Sequence, residues 1–193
     1  MFIEPRPSKN QKKGWIEIIC GSMFSGKTEE LIRRLNRAKI AQLNVLIFKP
    51  KIDVRYAEDA VVSHNDTRIL SHSIDHSSKL IEASKGMDVI GVDEAQFFDN
   101  QLVEACNMLA NQGVRVIVAG LDMDFTGKAF APMPELMAVA EYVTKVHAIC
   151  LKCGDVAQYS HRIQKDDNLL LLGEKEAYES LCRQCFNRAT KSD

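Results

Sequence analysis

Residues 21–28 read Gly21, Ser22, Met23, Phe24, Ser25, Gly26, Lys27, Thr28. The pattern G-x-x-x-x-G-K-[ST] is that of a phosphate-binding loop. Successive backbone N–H groups in such a loop turn toward one concavity and bind anionic oxygens. The positive end of the helix that follows points at the same place. Lys27 would reach the β- and γ-phosphates, and the Thr28 hydroxyl would sit on a magnesium ion. A second signal stands at Asp93 and Glu94, where an apolar run ends in two carboxylates. Asp93 is a candidate for holding the nucleotide's magnesium. Glu94 then lies beside the γ-phosphate, where it could take a proton from an attacking hydroxyl or water; the alternative is that it caps the following turn. No N-K-x-D guanine-reading motif is present, which points to ATP.

A third group is cysteine. Cys150 and Cys153 form one C-x-x-C, Cys182 and Cys185 another, and residues 154–181 between them number 28. Four thiolates in this pattern make a closed, structural zinc site, and the spacer predicts a long loop pinned at its base by metal. Cys20 and Cys106 read as core packing. His64, His72, His76, His147 and His161 have no cluster of partners and read as surface or loop residues.

The elements that must position these groups can be read from periodicity. A β-branched run at 16–20 enters the phosphate loop, and 29–43 leaves it with Leu31, Leu35 and Ala38 on one helical face. Further strands are expected at 45–48, 89–92, 114–119 and 143–149, with helices at 77–85, 100–111 and 134–141. Strands alternating with helices imply crossover units and a mostly parallel sheet, apolar on both faces. The polar stretch 51–76 is too long for an ordinary connection and reads as a functional loop or a small hairpin. The pattern breaks near residue 150. The expected division is an N-terminal arm at 1–14, a nucleotide-binding α/β domain at 15–147 and a small zinc-binding domain at 148–190.

The bulk properties fit this reading. The chain has 193 residues, 46% hydrophobic and 26% charged, with a net charge of −1. That balance gives no electrostatic footprint for a nucleic acid or an anionic membrane surface. No apolar run is long enough to span a bilayer, and the first 14 residues carry no signal-peptide core. The expected location is the cytoplasm.

Together these residues resemble one family, the zinc-containing cellular-type (type II) thymidine kinases. The matching pieces are the loop 21–28; Asp53, Arg55 and Tyr56; Asp93-Glu94-Ala95-Gln96-Phe97-Phe98; 120–125 with Phe130; both cysteine pairs; and 178–186 around Tyr178. The resemblance runs from about residue 15 to 187. It implies a RecA-like ATP-binding core and a zinc-pinned lasso that closes over thymidine, with transfer of phosphate from ATP to the 5′-hydroxyl to give dTMP in nucleoside salvage. The family's base falls on Glu94. Its phosphate and Mg2+ residues fall on the loop 21–28, Asp53, Arg55, Asp93 and Gln96. Its thymine pocket falls on Met23, Phe97, Leu121, Phe125, Phe130 and Tyr178. Ser160 and the main chain of the lasso, including Leu169 and Leu171, would meet the base edge, and Arg162 matches an arginine at the lasso's entrance. The family often has Gly-Gly where this chain has Gly173-Glu174. The resemblance also implies a homotetramer and feedback inhibition by dTTP.

The residues alone admit two rivals. Asp93-Glu94-Ala95-Gln96 is similar to the box of helicase-type ATPases, although the chain is too short for a second RecA-like domain and has no clear basic groove. A zinc-ribbon module fused to a nucleotide sensor would bind nucleotide without turnover.

Overall fold

The computed structural model describes residues 13–52, 60–62, 68–163 and 177–191. Most of the expected arm, Asp53, Arg55, Tyr56, His64, Leu169, Leu171 and the Gly173-Glu174 step lie outside them. The first unit is built from β1 (Trp15–Cys20), α1 (Lys27–Ile40), β2 (Val45–Pro50), β3 (Ala60–Val62), β4 (Arg68–Ile74), α2 (Ser78–Ala83), β5 (Val89–Val92), α3 (Gln101–Asn111), β6 (Arg115–Gly120), α4 (Met133–Val139) and β7 (Tyr142–Lys145). They form one sheet in the order β3-β4-β2-β5-β6-β1-β7. Six strands from β4 to β7 run parallel, and β3 is added antiparallel to β4. This is the α/β architecture read from the alternating pattern.

Parallel strands need crossovers, and the crossover helices bury both faces of the sheet. On β1, Ile16, Ile18 and Cys20 join a core with Leu102, Cys106 and Leu109 of α3. Ile19, on the other face, packs with Leu31, Leu35 and Ala38 of α1. The period-2 alternation of a strand thus feeds two cores at once. α1 carries Glu29 and Glu30 in its first turn and Arg37 and Lys39 in its last, matching the helix dipole.

One position breaks the apolar rule. Glu17, in the middle of β1 and fully buried, lies 2.8 Å from Arg34 of α1 and 2.7 Å from Arg115 of β6. The Trp15 indole N–H donates to it at 2.6 Å, and Arg34 reaches Glu30 at 2.8 Å and Thr144 at 3.0 Å. A buried carboxylate is tolerable only with such partners, and here they clamp α1 to three strands.

One expectation is corrected, and the small-hairpin reading of 51–76 is extended. The run 143–149 is not one strand: β7 ends at Lys145, Val146 N–H closes it onto the Cys20 carbonyl at 2.8 Å, and Ala148 opens a different sheet. The stretch 51–76 contains the β3–β4 pair, and β4 also joins the central sheet beside β2, with His72 opposite Phe48. Its polar sequence hides a strand one place in from the sheet edge.

The second unit comprises the hairpin β8 (Ala148–Ile149) and β9 (Val156–Ala157), the pair β10 (Tyr159–Arg162) and β11 (Tyr178–Leu181), and α5 (Arg183–Ala189). Its small core joins Ala148, Ala157, Leu181 and Phe186 to Cys150 and Cys182, and Tyr159 stacks on Phe186 with ring centroids 4.4 Å apart. His161 is not a loose surface residue. Its Nδ1 lies 3.1 Å from Glu179, which also pairs with Lys152 at 2.9 Å. Among the described residues no helix is long and apolar enough to cross a membrane.

Candidate active site

The phosphate loop leaves β1 at the carboxyl edge of the sheet, where α/β folds gather their ligands. Gly26 precedes α1 with φ 83°, in the left-handed region open to glycine at little cost. Ser25 Oγ and Lys27 Nζ both donate to the Ser22 carbonyl at 2.7 Å, so the loop is tied upon itself. Burial pulls the Lys27 ammonium below its usual range, and the carboxylates of Glu94, Asp93 and Asp122 oppose that pull.

Across from the loop, β5 ends at Val92 and delivers Asp93 and Glu94. The Thr28 hydroxyl meets the Asp93 carboxylate at 3.2 and 3.3 Å. Burial, with Glu94 close by, raises Asp93 to about 7, against the hydrogen bonds from the Glu94 N–H and Thr28 and the charge of Lys27. A hydroxyl and a buried carboxylate side by side are oxygen donors of the kind a magnesium ion takes. The set fits that ion.

Glu94 itself adopts φ 50°, ψ 44°, a left-handed conformation that a non-glycine residue enters at a cost of roughly 1–2 kcal/mol. Strain of this kind persists where surrounding structure demands it. The demand comes from a 3₁₀ turn over Ala95–Phe97, which lets the next polar side chain fold back. Gln96 Nε2 donates to Glu94 Oε2 at 2.5 Å, and Gln96 Oε1 accepts the Leu121 N–H at 2.9 Å.

The residues assigned to the thymine pocket fall into two linked sets. Phe97 and Phe130 meet edge to face, centroids 6.3 Å apart, and the Phe130 N–H donates to the Asp122 carbonyl, next to Leu121 in the chain. The Arg162 guanidinium lies 3.7 Å from the Phe125 ring centre and donates to the Tyr178 hydroxyl at 2.9 and 3.2 Å. Ser160 sits beside Arg162 on β10 and accepts the Met23 N–H at 2.9 Å, which brings the second unit against the phosphate loop. Asp122 was not singled out from sequence. It is buried at the end of β6 and ion-pairs with Lys145 at 2.5 Å. The available signal was an acidic residue just past an apolar strand, on the ligand-binding edge of the sheet.

The four thiols of Cys150, Cys153, Cys182 and Cys185 all lie within 4.8 Å of one another, with Cys153 and Cys182 3.7 Å apart. Four sulfurs converging at that spacing suit a tetrahedral ion with metal–sulfur bonds of about 2.3 Å. Burial pushes the Cys150 thiol up, but backbone N–H groups of Cys182, Lys152 and Cys153 outweigh it and bring the thiol down to about 6. The set could hold a metal ion and is compatible with zinc.

Comparison with known proteins bears on the chemistry. A family model described as thymidine kinase matches residues 14–186. The chain is 56% identical over 193 residues to the thymidine kinase of Bacteroides fragilis (strain YCH46), covering 100% of this chain and 97% of that one. It is 54% identical over 188 residues to the thymidine kinase of Porphyromonas gingivalis (strain ATCC 33277), covering 97% and 92%. For the thymidine kinase of Rhodothermus sp. (strain ITI 518) the identity is 54% over 173 residues, covering 90% and 81%.

Proposed function

The chain belongs to the thymidine kinase family: its reaction is the phosphorylation of thymidine to dTMP, and we propose that Glu94 is the base that takes the 5′-hydroxyl proton as the γ-phosphoryl group of ATP arrives. The observation that carries this assignment is the placement of Glu94, next in the chain to the Asp93 that meets Thr28, in a left-handed turn and held by Gln96. A positioned carboxylate of this kind is worth about 10²- to 10⁴-fold in rate.

The other roles follow from position. The loop amides of 21–28 and Lys27 would hold the triphosphate and stabilise charge on the moving group. Thr28 and Asp93 would hold Mg2+, which when bound neutralises charge on the β- and γ-phosphate oxygens. Gln96 orients Glu94. Asp53 and Arg55 lie outside the described residues and keep the phosphate role implied by resemblance. Met23, Phe97, Leu121, Phe125, Phe130 and Tyr178 would form the walls for the flat thymine ring. Ser160, Leu169 and Leu171 would meet its edge. Discrimination against deoxyuridine would rest on one methyl contact, worth about 1–3 kcal/mol, with Met23 the candidate to make it.

Zinc held by Cys150, Cys153, Cys182 and Cys185 would be structural, pinning the base of 154–181 without taking part in the reaction. The division at residues 147 and 148, a cytoplasmic location, a homotetramer and inhibition by dTTP belong to the same reading. The test is a nucleoside panel with ATP labelled at the γ-phosphate. Label should pass to thymidine and, more weakly, to deoxyuridine. Consumption of ATP with no labelled nucleoside would overturn the reading.

A further inference from the structure

The hydrogen bond between the two units has a consequence for the nucleotide site. Met23 N–H belongs to the phosphate loop, and its acceptor is the Ser160 hydroxyl, 137 positions away and 4% exposed. Ser160 is fixed in turn. On the β10–β11 ladder it stands opposite Ser180. Ser180 Oγ donates to the Ile149 carbonyl at 2.7 Å, and the Ser180 carbonyl accepts the Leu151 N–H at 3.0 Å. Ile149 and Leu151 flank Cys150. Two hydrogen bonds tie Ser180 to the first cysteine knuckle, the β10–β11 ladder sets Ser160 against Ser180, and the Ser160–Met23 hydrogen bond completes the link to the loop that would cradle phosphate.

We propose that Ser160 is a positioning residue for the phosphate loop, so that the four-cysteine unit sets nucleotide affinity through the Ser160 hydroxyl. This rests on the reading of 21–28 as the ATP site. It is separate from any contact between Ser160 and the nucleoside, because it acts with no nucleoside present. The physical reason is pre-organisation. A loop that binds phosphate through backbone N–H groups must hold them convergent before the ligand arrives, and each freed segment adds an ordering cost to binding. Met23 opens the segment whose later amides would face the phosphates, and Ser160 is a tether for it outside the loop.

The test measures binding of a fluorescent ADP analogue with magnesium, without nucleoside, to the zinc-loaded wild type, Ser160→Ala and Ser160→Thr. Zinc content is measured alongside. Ser160→Ala should keep its zinc and bind the nucleotide about three- to tenfold more weakly, the loss of one ordinary hydrogen bond. Ser160→Thr keeps the hydroxyl and should bind within about twofold of wild type on the same reasoning. Equal affinity for wild type and Ser160→Ala would overturn the inference alone, as would Ser160→Thr as weak as Ser160→Ala. No binding by the wild type would remove the nucleotide reading and this inference with it. A second measurement, on the wild type, is amide hydrogen exchange in the segment 21–26 before and after zinc chelation. Faster exchange after chelation is expected, and unchanged exchange would contradict the linkage.

Discussion

Gln96 joins Glu94 to the far wall of the site: its Nε2 donates to Glu94 Oε2 at 2.5 Å while its Oε1 accepts the Leu121 N–H at 2.9 Å. The orientation of the amide is not free. A backbone N–H can only donate, so it selects the amide oxygen and turns the NH2 group toward the carboxylate. Replacing Gln96 with Leu should therefore lower kcat about tenfold or more, the value of a hydrogen bond to a charged group. The KM for ATP should stay nearly constant. Steady-state kinetics at saturating thymidine check this; an unchanged kcat would remove Gln96 from the orienting role.

Gly120 leaves room for that amide. A Cβ there would fall 2.6 Å from Met133 Sδ and 3.0 Å from Gln96 Oε1. Both neighbours are side-chain atoms, so Gly120→Ala should fold, at a cost of about 1–3 kcal/mol from overpacking. Displacing Gln96 should make the loss of kcat resemble that of Gln96→Leu. Denaturant titration and kinetics on the same preparation separate the two effects.

The Glu17 cluster concerns stability. Glu17 and Arg34 are both fully buried and 2.8 Å apart. Removing Arg34 leaves the buried Glu17 carboxylate with one of its two guanidiniums, Arg115, and breaking a buried pair costs up to about 3–5 kcal/mol. Arg34→Met should lower the denaturation midpoint by a correspondingly large amount. The double variant Glu17→Leu, Arg34→Met should be no more stable than the single, because losing Glu17 also takes the carboxylate from buried Arg115. A double variant clearly more stable than the single would contradict that reading.

Thiol chemistry should report the metal. Burial pushes Cys20 up to about 11 and Cys106 up to about 12, so neither is a ready thiolate at pH 8. With zinc bound at the four cysteines, a disulfide reagent should find little to react with. Chelation should expose the four clustered thiols. Rapid reaction of the native chain, with no change on chelation, would contradict a closed thiolate site.

Much of this was legible in the sequence because motif and element coincide. The loop 21–28 sits between a strand and a helix, and Asp93 and Glu94 follow a strand of four apolar residues. The cysteines announced themselves by spacing. What was hidden depends on tertiary partners. No residue type at 94–97 announces the left-handed backbone of Glu94, and the Leu121 N–H that fixes the Gln96 amide beside it comes from a distant part of the chain. Glu17 reads as an oddity in an apolar run until Arg34 and Arg115 arrive from elsewhere in the chain. The strand β4 is polar where strands are usually apolar, and the run 143–149 is broken by a change of sheet that hydropathy does not register.

The central assignment is the base, and Glu94→Gln tests it most directly, since the amide keeps the size of the side chain and loses its affinity for a proton. ATP binding should persist, with phosphorylation of thymidine slowed by at least ~10²-fold. Turnover close to that of the unmodified chain would contradict the account.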